Sequence, residues 1–192
     1  MPKKKYIDSK SMQRLFRPKS IAIVGASPSH QWLKNSILSF PEMGYEGKVY
    51  AVNPRYTEVA GAPCFPSLSE IPEVPDAILI GLNRDRVLPV VEEAIRLGIG
   101  GAVVLAIGFA EAGDVGRERQ QRMRQISLDA DFALVGPNCQ GLIDFTSRTA
   151  LYIEKVASYE PGVVALMSQS GSVTSALTDN NRSWRWSQIV SA

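Results

Sequence analysis

The chain has one histidine, His30, and two cysteines, Cys64 and Cys139, in 192 residues. Ligands this few and this scattered exclude a histidine and cysteine zinc site, and two cysteines make no disulfide framework. No carboxylate stands near His30 in sequence to orient it as an acid or base, so a loop position on the surface is the simpler reading. No apolar window reaches the length of about eighteen residues that a membrane span needs, and the polar start through Arg14 is not a signal peptide. Excess charge is lacking too. Lys and Arg number 21 against 19 Asp and Glu, a formal +2, which excludes a broad nucleic-acid surface. The one basic run, Lys3-Lys4-Lys5, reads as part of a solvated, frayed N-terminus. A cytoplasmic protein without metal, nucleic-acid or membrane partners is expected.

What is present is a repeating alternation of short apolar runs and amphipathic stretches. Ser20 to Val24 is an unbroken apolar run of the kind found in strands covered on both faces. Gly25-Ala26-Ser27 then turns the chain, with almost no side chain to keep an anion from the backbone or from a following helix start. A helix from Trp32 to Phe40, ended by Pro41 and Gly44, leads to a second strand over 47–52. A proline- and serine-rich connection over 61–75, with one short edge strand near Cys64 and Phe65, precedes a third strand over 77–82. A helix from Leu88 to Leu97 with Pro89 in its first turn, a strand over 102–107, a charged helix over 115–128 and a strand over 132–135 complete the pattern. This alternation predicts an α/β fold, a Rossmann-like doubly wound parallel sheet with right-handed crossovers and its ligand at the carboxyl ends of the strands.

Residues 1–13 read as a flexible N-terminus, 14–145 as the main domain and 146–161 as a linker poor in apolar anchors. The pattern restarts over 162–192, where a strand, a helix from Ser172 to Leu177 and a further strand near Ile189 read as the truncated start of a second, flavodoxin-like α/β domain. About thirty residues bury only a marginal core.

The candidate site residues lie at the strand ends. A dinucleotide site commonly has Asp or Glu after its second strand to hold ribose hydroxyls, whereas Asn53, Pro54 and Arg55 stand here. Arg55 suits a ribose phosphate, as on NADP or on the adenosine end of coenzyme A, although a solvated loop arginine has the same signature. The glycine fingerprint is incomplete, with Ser27 and His30 where further glycines would fall. Gly108 and Phe109 end the fourth main strand. Pro137 and Asn138 end the next, where the Asn138 amide could bond a thioester or carbonyl group or make a plain turn. Cys139 reads as packing or as a pocket wall. Ser170, Gly171 and Ser172 open a helix, an arrangement that serves an anion or an ordinary N-cap equally well.

Taken in order, Ile23-Val24-Gly25-Ala26-Ser27, Val52-Asn53-Pro54, Gly108-Phe109-Ala110-Glu111, Gly136-Pro137-Asn138-Cys139-Gln140-Gly141 and Ser168-Gln169-Ser170-Gly171 resemble the nucleoside-diphosphate-forming acyl-CoA synthetases, relatives of the succinyl-CoA synthetase alpha subunit. The resemblance covers nearly all of residues 14–192. It implies that 14–145 form a CoA-binding domain in which Gly25, Ala26 and Ser27 hold CoA phosphate and Asn53, Pro54 and Arg55 flank the nucleotide end. Gly108, Phe109, Pro137 and Asn138 would line the pantetheine and thiol path, and Ser170, Gly171 and Ser172 would open a helix toward a phosphorylated histidine. The family's phosphate-carrying histidine is expected beyond Ala192 and does not match His30, so no catalytic residue is assigned in this chain, and this piece alone is expected to be inactive.

An ATP-grasp domain or subunit would supply ATP or ADP and Mg, and a carboxylic acid would be the co-substrate. Homo-oligomerisation is left open. The segment from Pro28 to Asn35 is poorer in glycine than the family pattern, and Gly81-Leu82-Asn83 lacks a proline often found there. Two other readings stay open: a stand-alone CoA-binding or regulatory module without catalysis, and an NADP-binding oxidoreductase domain.

Overall fold

A computed structural model describes residues 6–156, 160–178 and 184–191; the Lys3-Lys4-Lys5 run lies outside them. The strands are β1 (Ser20–Val24), β2 (Lys48–Val52), β3 (Glu58–Val59), β4 (Ala62–Phe65), β5 (Ala77–Ile80), β6 (Gly101–Val104), β7 (Ala133–Val135), β8 (Gly141–Asp144), β9 (Thr149–Tyr152), β10 (Val164–Ser168) and β11 (Trp186–Ser191). The helices are α1 (Ser9–Phe16), α2 (Gln31–Met43), α3 (Arg84–Leu97), α4 (Asp114–Asp129) and α5 (Gly171–Thr178). The first seven strands form one sheet in the order β3-β4-β2-β1-β5-β6-β7. Every neighbouring pair in it is parallel except β3 with β4. The chain therefore runs outward from β1 and then returns to start again at β5, the reversal that marks the ligand crevice of a doubly wound sheet.

Strand period two distributes the core. Ile21 and Ile23 of β1, with Ala77 and Leu79 of β5, pack toward Leu15 of α1 and Leu33, Ile37 and Phe40 of α2. Ala22 and Val24, with Ile78 and Ile80, face Val87, Val91 and Ala94 of α3 and Met123 of α4. Both faces of the central strands are thus covered, which is why their sequences are continuous apolar runs.

Three elements depart from the sequence reading. Residues 9–13 of the segment read as flexible belong to α1, which Asp8 caps by accepting from the Ser11 N–H and which continues into the main domain, where Leu15 is fully buried and Arg14 binds Asp76 at 2.8 Å. Helix α3 starts one turn before Leu88 because Asn83 accepts the Asp85 N–H, so Pro89 sits inside the helix and not in its first turn. The stretch taken as a linker holds β9, whose Ala150, Leu151 and Tyr152 are buried and pair with β8; residues 157–159 of that stretch lie outside the described ones.

The second sheet has the order β10-β11-β8-β9, with β10 and β11 parallel and β8 antiparallel to both β9 and β11. The hairpin that follows β7 is thereby joined to the restarted β10-α5-β11 pattern through a cluster containing Ile143, Phe145, Tyr152, Trp186 and Ile189. Among the described residues no helix is long and apolar enough to cross a membrane.

Candidate functional site

The carboxyl ends of β1, β2 and β5 surround a cavity of about 430 Å3. Gly25, Ser27 and Ser29 line it after β1, Asn53 to Tyr56 after β2, Ser67 and Leu68 before β5, and Arg86, Val90 and Glu93 from α3. Gly25 adopts φ +91 and its N–H donates to the Val52 carbonyl at 2.9 Å, which ties the first loop to the second strand. A Cβ at Gly25 would stand 2.7 Å from Leu82 Cδ2 and 2.9 Å from the Gly81 carbonyl oxygen, so only a bare backbone passes there. Asn53 joins the same loops a second time. Its Nδ2 donates to the Ala26 carbonyl at 2.8 Å while its Oδ1 accepts the Arg55 N–H at 3.1 Å. The Arg55 side chain is left exposed at the rim. No side-chain hydrogen bond from His30 caps α2, whose first N–H groups have no partner within the helix.

Five of the positions read from sequence, Gly25, Ser27, Asn53, Pro54 and Arg55, thus share one cavity. Ala26 lies between them but its side chain is fully buried, so it shapes the turn from beneath. Arg86, Ser67 and Tyr56 were missed. Arg86 reads as a loop arginine in the sequence, but α3 begins at Arg84, and the helix's first turn places it on the wall of the cavity.

The remaining positions go elsewhere. Phe109 is 1% exposed, and its ring packs in the α3/α4 core with the Arg119 guanidinium 5.9 Å from its centre, instead of lining a path. Pro137 lines a separate groove of about 260 Å3 with Met123 and Phe132, and Asn138 is exposed at φ +56 with its N–H on the Ala106 carbonyl. Burial pushes the Cys139 thiol up to about 12, and its Sγ donates to the Val104 carbonyl at 3.4 Å; it is a protonated packing group at neutral pH. Ser170 caps α5, its Oγ accepting from the Val173 N–H at 3.4 Å. Gly171 lies against Gln140, whose Nε2 would be 2.7 Å from an added Cβ, and Ser172 is exposed.

Gly108 is held from both sides of its peptide units. Its N–H donates to Glu111 Oε1 at 2.6 Å and its carbonyl accepts from Arg119 Nη1 at 2.7 Å; Arg119 also reaches Asp85 of α3 at 3.1 Å. Desolvation opposes ionisation of Glu111, but the backbone N–H groups of Gly108, Glu111 and Phe109 outweigh it and hold the carboxyl below its ordinary 4.5. A lowered native value stabilises this loop at pH above the ordinary carboxylate value, and the contribution disappears as pH falls through the lowered one. The protection of the Gly108 amide, its exchange rate relative to the intrinsic rate at the same pH, is therefore expected to fall as the Glu111 carboxyl protonates, and Glu111→Gln to show reduced protection already at pH 7. Proton exchange followed by NMR reads both.

Residues 19–144 match the family model described as the CoA binding domain. This chain belongs to that family. This CoA-binding chain is 39% identical over 168 residues to the acetate–CoA ligase [ADP-forming] I of Archaeoglobus fulgidus, a match covering 88% of this chain and 24% of that protein. It is 31% identical over 158 residues to the alpha subunit of acetate–CoA ligase [ADP-forming] II of Pyrococcus furiosus, covering 82% of this chain and 34% of the subunit. Among solved structures it resembles the dinucleotide-forming acetyl-coenzyme A synthetase 1 of Ca. Korarchaeum cryptofilum, in complex with phosphate and ADP. That likeness has a TM-score of 0.84 and 32% identity, and covers 94% of this chain and 39% of the other. The chain thus spans between a quarter and two fifths of these relatives' lengths.

Proposed function

We propose that this chain is the CoA-binding portion of an ADP-forming acyl-CoA synthetase, which joins a carboxylic acid to CoA through an acyl phosphate. The observation that carries this reading is the cavity at the β1/β5 reversal, entered by the bare Gly25 turn and flanked by Arg55 and Arg86. The residues fit the coenzyme. Hydroxyls of Ser27, Ser29 and Ser67 and two guanidinium groups suit its phosphates, and Glu93 offers an acceptor for a ribose hydroxyl or adenine amine. When bound, CoA supplies the thiol that takes the acyl group. The chain's own part is to hold the phosphorylated end, with Asn53 keeping the two loops in register and Glu111 and Arg119 holding Gly108 at the neighbouring strand end.

An ATP-grasp partner belongs to this proposal, supported by relatives that include an alpha subunit of an ADP-forming ligase, and Mg belongs to it only as the companion of the ATP or ADP that such a partner would hold. A cytoplasmic location agrees with it. The stand-alone binding module and the NADP-binding domain share the rim arginine, but both relatives compared above are CoA ligases. Calorimetry with CoA and with NADP is the test. CoA is expected to bind more tightly, and Arg55→Ala to weaken it by about 1.5–3 kcal/mol, the worth of a charge-assisted hydrogen bond. Tighter binding of NADP would overturn the assignment, and unchanged CoA affinity in the variant would remove Arg55 from the site.

A further inference from the structure

The end of the β1–α2 loop and the first turn of α2 carry two rings that the phosphate cavity does not use. His30 and Trp32 meet edge to face, their centroids 6.2 Å apart at 64°. Both line a second cavity of about 550 Å3 that opens over the end of β5 and shares Leu82 with the first. Since β5 lies between β1 and β6, that strand end is flanked by Trp32, in the first turn of the α2 helix that follows β1, and by Ile107, just after β6. Trp32 is 53% exposed and Ile107 67% exposed, so two large apolar side chains stand in water at the mouth of a cavity. Among its lining residues Arg84 is the one Lys, Arg, Asp or Glu, whereas Arg55, Arg86 and Glu93 line the first cavity. The surface thus changes from charged to apolar along the rim.

We propose that Trp32 is a specificity-determining residue that grips the uncharged pantetheine arm of CoA, an inference that rests on the CoA reading above. The occupant follows from continuity. A CoA molecule whose phosphates lie over Gly25 and Arg55 and whose adenosine end stays in the first cavity beside Glu93 has one uncharged part left to place, the pantetheine arm, and the adjoining cavity past Leu82 offers an apolar wall to it. Closing on that arm would take Trp32 and Ile107 out of water, and aromatic anchors carry a disproportionate share of binding energy. His30, packed on the ring edge, would hold the Trp32 rotamer.

The test compares CoA with adenosine 3′,5′-bisphosphate, which keeps the nucleotide and lacks the arm, on the wild type, Trp32→Ala and Trp32→Phe. Trp32→Ala is expected to weaken CoA about tenfold, Trp32→Phe to restore most of the affinity, and the bisphosphate to bind all three within about twofold. The tryptophan fluorescence change on adding CoA should also vanish in Trp32→Phe, leaving Trp184 and Trp186 silent. Equal losses for both ligands, or no loss for CoA, would overturn the inference while leaving the CoA site standing. Failure of the wild type to bind CoA would remove both readings together.

Discussion

Gly25→Val is expected to abolish CoA binding and to lower the stability of the fold by about 2–5 kcal/mol. Two costs combine. At φ +91 a side chain meets the strain of left-handed backbone, about 1–2 kcal/mol for any L residue and worse for a β-branched one. The added Cβ also stands 2.9 Å from the Gly81 carbonyl oxygen, and the residue that carries it is anchored on its other side, where the Gly81 N–H donates to the Val24 carbonyl at 3.0 Å and extends the β1–β5 ladder. Forcing groups into a packed site costs a further 1–3 kcal/mol or so. The valine methyls would in addition stand where phosphate must approach the turn. Gly25→Ala carries the smaller strain of an unbranched residue and the same first contact without the methyls, and should fall between. Denaturant midpoints and calorimetry with CoA measure the two effects separately. A Gly25→Val protein with normal affinity would show that the phosphates never approach this turn.

The doubly wound sheet was legible because each of its central strands is a continuous apolar run punctuated by glycine or proline, and burial on both faces demands that. The cavity's floor was legible for the same reason: Gly25 and the Asn53-Pro54-Arg55 ending sit where the chain leaves buried strands. What lay outside local pattern depended on tertiary partners. Helix α1 shows only Leu15 and Phe16 as apolar anchors, and it docks through Arg14 binding Asp76 and the Gly98 carbonyl, residues more than sixty positions away. Phe109 sits in a loop motif that suggests exposure, yet α4 covers its ring. Arg86 entered the site only through the earlier start of α3, which a single Asn83 cap decides. The β8–β9 hairpin hid in a stretch rich in Thr, Ser and Asp because its polar residues satisfy one another.

That mutual satisfaction makes Asp144 the position where a polar substitution should do the most damage, about 3 kcal/mol or more for Asp144→Ala. Its carboxylate is fully buried. Oδ1 accepts from the Thr146 N–H at 2.8 Å, the Thr146 hydroxyl at 2.5 Å and the Ser147 N–H at 2.9 Å, and Oδ2 accepts from Gln188 Nε2 at 2.7 Å. Three of these donors form the turn between β8 and β9, and the fourth reaches from β11, where Gln188 stands opposite Asp144 in register. Alanine would leave all four donors without their acceptor, and each one that stays buried costs about 1–3 kcal/mol. Asp144→Asn separates charge from geometry. Its retained oxygen can still serve the turn, and the Gln188 amide can rotate to present its own oxygen to the new amide, so a loss near 1 kcal/mol is expected. The order alanine far worse than asparagine, read from denaturant midpoints, would show that the carboxylate joins the β8–β9 turn to β11. Equal and small losses would mean that water reaches the turn, and that the apolar cluster around Trp186 holds the two parts together without it.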